Sequence, residues 1–142
     1  MAVNDHRLAN FRVRRQSMWW EWEILTQLRS LTEVPITYHG GRPDVASIEW
    51  CYCWDTNRIT WLGISLANRD ITKMNVLSLA HELGHIATYD PDWGQALVMG
   101  HRPAIQRSEI NAWDWARSAL GDYWDHDSDG FRTAALATYG VT

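Results

Sequence analysis

Residues His81-Glu82-Leu83-Gly84-His85 form an H-E-x-x-H sequence inside a run, from Asp70 to about Thr88, whose apolar spacing predicts a helix. No other feature of the chain restricts its folding as strongly. Residues four apart on a helix lie about 40° apart around its axis, so both imidazoles can converge on one metal ion. Glu82 projects beside them, where its carboxylate can take a proton from a water activated by that metal. Asn68 or Asp70 is available as the N-cap. Met74 and Leu77 lie on the histidine side of the helix, while Val76, Leu79, Leu83 and Ile86 line the other side. A helix that is apolar nearly all round is a buried one, which disfavours the alternative of two histidines on a wetted face. Buried imidazoles and a buried carboxylate need partners, and a metal ion supplies them.

H-E-x-x-H provides two ligands, and a hydrolytic zinc site needs a third together with an open position. The downstream candidates are Asp90, Asp92, His101, Glu109 and His126. Glu109 is preferred on the pattern of its own segment, which reads as a helix from near Pro103 to about Leu120, with Gly121 at the stop position. Counting from Glu109, residues Ala112, Trp113, Ala116 and Leu120 fall at helical spacing and make an apolar stripe around a carboxylate. Small Ala112 and Ala116 would let this helix approach the metal helix closely. The competing role for Glu109 is a salt bridge to an arginine such as Arg117 or Arg69.

The remaining segments give an α+β chain. A helix is expected from about Arg12 to Leu31, with Met18, Trp22 and Leu25 on one stripe and Trp20, Ile24, Leu28 and Leu31 on the next. Three strand-like runs follow, Val34–His39, Ala46–Trp54 and Ile59–Leu66, the last two reading as a hairpin about Asp55-Thr56-Asn57. From Asp122 the tail is polar, then mildly apolar, and no element is assigned to it. With 142 residues and no repeat or linker, residues 1–142 are expected to form a single domain. Thirteen basic against seventeen acidic residues give a net charge of −4, which argues against an extended nucleic-acid surface. No run approaches a membrane span and no signal peptide is visible, so a cytoplasmic protein is expected.

Taken together, His81-Glu82-x-x-His85 and Glu109-x-x-Ala112-x-x-Trp115-Ala116 resemble the motifs of the ImmA/IrrE-type metallopeptidases, within the compact minigluzincin group of zincins. The order of elements is similar too: an N-terminal helix, a small sheet of three to four strands, the H-E-x-x-H helix and a C-terminal helix bearing the glutamate. Trp113 departs from the pattern, standing where that family often has a polar residue. The resemblance implies a zincin-like fold and a zinc-dependent metallopeptidase acting on a peptide or protein substrate. In that reading His81, His85 and Glu109 bind Zn²⁺ and Glu82 is the general base. It also implies that Ile59–Leu66 is a sheet edge that holds an extended peptide through Gly63, Ile64 and Ser65; an ordinary hairpin strand is the alternative. A different class of function remains open as well, a non-catalytic regulator or interaction module with a structural zinc, although such a module needs no Glu82.

Weaker features complete the reading. Tyr123 or His126, beyond the Glu109 helix, are candidates for a second donor to a transition-state oxyanion. Asp125-His126-Asp127-Ser128-Asp129-Gly130 has the opening of a calcium loop, but Leu136 stands where the bidentate glutamate belongs, so a solvated acidic turn is expected instead. Cys51 and Cys53 read as reduced core thiols rather than as a disulfide or half of a metal site. Arg12, Arg14 and Arg15 beside Trp19 and Trp20 read as a solvated helix end rather than a nucleic-acid contact.

Overall fold

A computed structural model of the chain describes residues 8, 10–12, 20–40, 46–67 and 71–142, and these build an α+β architecture of five helices and a small three-stranded sheet. Helix α1 spans Trp20–Ser30 and buries Ile24, Leu25 and Leu28. Of its two expected stripes, the one through Ile24, Leu28 and Leu31 enters the core, whereas Trp22 is exposed. Met18, Arg14, Arg15 and Trp19 lie outside the described residues, and Phe11 and Arg12 are not helical.

Strands β1 (Ile36–Tyr38), β2 (Ser47–Cys53) and β3 (Arg58–Leu66) lie in the order β1-β3-β2. The β2–β3 hairpin forms as expected, its turn closed by Asn57 at φ 54, a left-handed conformation that asparagine tolerates. Because β1 returns parallel to β3, the third strand in sequence is the middle one in space. The expected edge role of Gly63, Ile64 and Ser65 is therefore overturned. Ile64 pairs with Ile36 on one side and Ile48 on the other, Ser65 pairs with Thr37 and Ser47, and Gly63 pairs with Glu49. Period-two patterning identifies a strand but does not order strands in a sheet. The outer edge of β2 is free of a strand partner among the described residues.

The thiols of Cys51 and Cys53 are free and exposed, not buried in the core. Both lie on β2, most of whose residues face solvent because the strand is covered on one side only.

Helix α2 covers Lys73–Ala87. It starts later than expected, since Thr72 is the cap and accepts from the Asn75 amide at 3.3 Å; Asn68 and Asp70 are outside the described residues. Val76, Leu77, Leu79, Ala80, Leu83 and Ile86 are all buried, as the all-round apolar pattern requires. A single-turn 3₁₀ segment, Pro91–Trp93, and the short α3 (Gly94–Val98) lead into α4 (Arg102–Leu120). Helix α4 has Pro103 in its first turn and stops at Gly121, whose φ of 51 suits glycine. Its stripe of Ala112, Trp113, Ala116 and Leu120 is fully buried against α2.

The polar tail is a fifth helix, α5 (His126–Ala137). Asp125 is its N-cap, accepting from the Ser128 amide at 3.0 Å, while the Ser128 hydroxyl accepts from the Asp125 amide at 3.3 Å. This reciprocal capping box accounts for the acidic run, since Asp127 and Asp129 occupy the first turn, where carboxylates oppose the helix dipole. Among the described residues no helix is long and apolar enough to cross a membrane.

Candidate metal centre

Helix α2 brings His81 and His85 to one face, with ring centroids 4.7 Å apart, and α4 carries Glu109 to meet them. Glu109 Oε2 lies 2.6 Å from His85 Nε2, and its Oε1 lies 3.4 Å from His81 Nε2. One ligand atom from each of the three residues can be chosen so that all lie within 4.8 Å of one another. A tetrahedral zinc with bonds of about 2.0–2.1 Å separates its ligand atoms by about 3.3 Å. The His81–Glu109 pair matches that spacing, and the His85–Glu109 pair lies closer, at hydrogen-bonding distance. His81 Nε2 is also buried without a hydrogen-bond partner, an orphaned atom that a metal would satisfy. His81, His85 and Glu109 are thus positioned to bind a metal ion.

The helices approach this closely because of Gly84, the residue preceding His85. A Cβ at Gly84 would fall 2.9 Å from Ala112 Cα and nearer still to the Ala112 carbonyl oxygen, so glycine is required where α4 crosses α2. Two further residues orient the ligands. Ser108 Oγ lies 3.1 Å from His85 Nδ1, which holds the ring so that Nε2 faces Glu109. Trp113 stacks on His81 with centroids 4.3 Å apart and planes 12° from parallel, which explains why a bulky ring suits this site.

Charge is concentrated here. Glu82 is 4% exposed and its Oε1 lies 3.3 Å from His81 Nδ1. Burial opposes the charged form of His81, but the neighbouring Glu109 and Glu82 carboxylates outweigh it and lift His81 to about 9. Burial likewise disfavours the Glu109 carboxylate, yet His81 and His85 together hold it at about 2.

The other candidate ligands are elsewhere. Asp90 caps the 3₁₀ turn and pairs with Arg107 at 3.2 Å, Asp92 is exposed in that turn, and His101 and His126 are exposed at helix starts. Arg117 is exposed and Glu109 faces the two histidines; Arg69, the other arginine expected as a partner, lies outside the described residues.

A cavity of about 680 Å³ opens over the histidines, walled by α2, α4, α5 and the β2–β3 hairpin. Neither expected oxyanion donor borders it. Tyr123 is buried against Trp20 and donates to Glu21 at 3.0 Å, so it fastens the turn after α4 to α1. Tyr139, in the turn after α5, does border the cavity. Burial, then the charges of Glu109 and Glu82 and a hydrogen bond donated to Glu109, push its phenol up to about 12, so it stays a proton donor at neutral pH. Sequence spacing carries no signal for Tyr139, because its placement depends on α5 folding back over the site.

Comparisons of the chain with protein-family models, with curated proteins and with solved structures return no match. Geometry alone therefore defines what this centre is: a two-histidine, one-carboxylate site at the floor of a cleft, with a second carboxylate beside it.

Proposed function

We propose that the protein is a zinc-dependent endopeptidase of the gluzincin type with a zincin-like fold. The observation that carries this reading is the convergence of His81, His85 and Glu109 beside the Glu82 carboxylate, in a cleft large enough for peptide. The resemblance to ImmA/IrrE-type metallopeptidases supports the same reading. Zinc held by the three ligands would polarise the scissile carbonyl and the attacking water. Glu82 accepts the proton that this water sheds and returns it to the amine nitrogen as the C–N bond breaks. Tyr139 donates a hydrogen bond toward the carbonyl oxygen as its negative charge develops. The substrate backbone lies along the free edge of β2, whose residues Ser47, Ile48 and Trp50 border the cavity.

Glu82→Gln preserves shape and removes the base. It should retain stoichiometric zinc and the wild-type melting temperature while peptidase activity falls by about a hundredfold or more. Full activity in this variant, or zinc-free wild type after loading and gel filtration, would sink the proposal. Retained biological function without hydrolysis would instead favour a module with a structural zinc.

A further inference from the structure

We infer that the cleft accepts an internal, extended stretch of peptide and selects a large apolar side chain beside the scissile bond; this rests on the peptidase reading above. Among the described residues bordering the cavity there is no lysine, arginine or aspartate, and the only carboxylates are Glu82 and Glu109. Both of these are already turned to the histidines. An enzyme that trims chain ends must hold a terminal ammonium or carboxylate, and among the described residues this wall offers no free charge for either. A charged side chain entering it would be desolvated without a partner.

Beside serine, threonine and tyrosine hydroxyls, what the described wall offers is apolar. Ile59 and Trp61 come from β3, Leu97 from α3, Ile105 from α4 and Phe131 from α5. Phe131 stands edge-on to Trp113 at 5.7 Å, so the α5 wall continues the ring that backs His81. Ala134 follows on α5, and its small side chain leaves width where a larger residue would close the cleft. Trp50, 40% exposed on β2, extends the apolar surface to the mouth of the cavity. Sheet-edge pairing reads only main chain, so the side-chain preference must come from this wall. Burying one leucine or phenylalanine side chain in it favours that substrate by about tenfold to a hundredfold over a glycine or aspartate at the same position.

The test uses zinc-loaded full-length protein and short peptides acetylated and amidated at their ends, with cleavage positions read by mass spectrometry. Blocked peptides should be cut, with Leu, Ile, Phe or Met flanking the cut bond and about tenfold or greater loss when Asp or Lys replaces it. Ala134→Trp, on an exposed helical position, should erase the preference for large residues while zinc content and circular dichroism stay unchanged. Cleavage that requires a free terminus, or that ignores the flanking residue, overturns the inference and leaves the peptidase reading intact. Zinc-loaded Glu82→Gln supplies the other arm through calorimetric binding of the same peptides. If wild type cuts nothing but this variant binds apolar peptides preferentially, the peptidase reading falls and the selectivity stands. If it neither cuts nor discriminates, both fall.

Discussion

Ser108 reaches His85 from the residue before Glu109, so one turn of α4 supplies both a ligand and the group that orients another ligand. Removing the hydroxyl frees the His85 ring to rotate and leaves its Nδ1 without that partner. Ser108→Ala should therefore weaken zinc binding by about ten- to a hundredfold with the fold intact, measured by competition with a chromophoric chelator. Gly84 acts through space rather than through chemistry. Gly84→Ala forces a methyl into the Ala112 backbone, which should cost about 1–3 kcal/mol in urea unfolding of the metal-free protein and also weaken zinc binding by displacing Glu109. Three of the site residues were readable in sequence because H-E-x-x-H is local, its geometry being a property of one helix. Glu109 was readable because a carboxylate interrupts an otherwise apolar stripe. Ser108 and Tyr139 were not, since a serine and a tyrosine have many ordinary roles and only tertiary placement gives them this one. Tyr123 failed as a donor for the complementary reason: its phenol found Glu21 on α1, a partner 102 positions away that no local pattern announces.

The helices α2 and α4 fall close to their expected spans because each has a strong apolar period and, for α4, a proline start and a glycine stop. Helix α5 escaped because its first turn is acidic and buries only Ser128 and Leu136 deeply, which leaves little amphipathic signal. Its start is nonetheless well determined physically. Lys73, the only lysine in the chain and the first residue of α2, pairs with the Asp125 cap. This hydrogen bond first, and the Ser128 amide next, hold the Asp125 carboxyl at about 2 against an ordinary 3.8. A depressed carboxylate contributes stability that is fully present above its unfolded value and is lost as pH falls through its folded value. Asp125→Asn should therefore melt below wild type at pH 7, and the gap should narrow from about pH 4 downward and close near pH 2. Thermal midpoints across that range check it; a gap that persists at pH 2 would assign the effect to packing rather than to charge.

The candidate metal centre joins helices that are distant in sequence, so metal binding there would be linked to folding of the molecule. His81 and His85 come from α2 and Glu109 from α4, two elements that pack extensively and meet at Gly84 and Ala112. An unfolded chain cannot hold the three groups together, so an ion held by them would bind the native state selectively and stabilise it by mass action. With free zinc at a hundred times its dissociation constant, the gain is about 2.7 kcal/mol. For 142 residues, at about 2.1 cal/mol/K of unfolding entropy per residue, that corresponds to a rise of about 9 °C in melting temperature. Chelation should reverse it. Glu109→Ala removes the ligand that spans the two helices, so the difference between zinc-loaded and zinc-free midpoints should collapse even if the variant is itself less stable. Scanning calorimetry of both proteins, each with zinc and with chelator, measures that difference. An equal rise in wild type and Glu109→Ala would mean that the stabilising ion sits elsewhere and that α2 and α4 are held by packing alone.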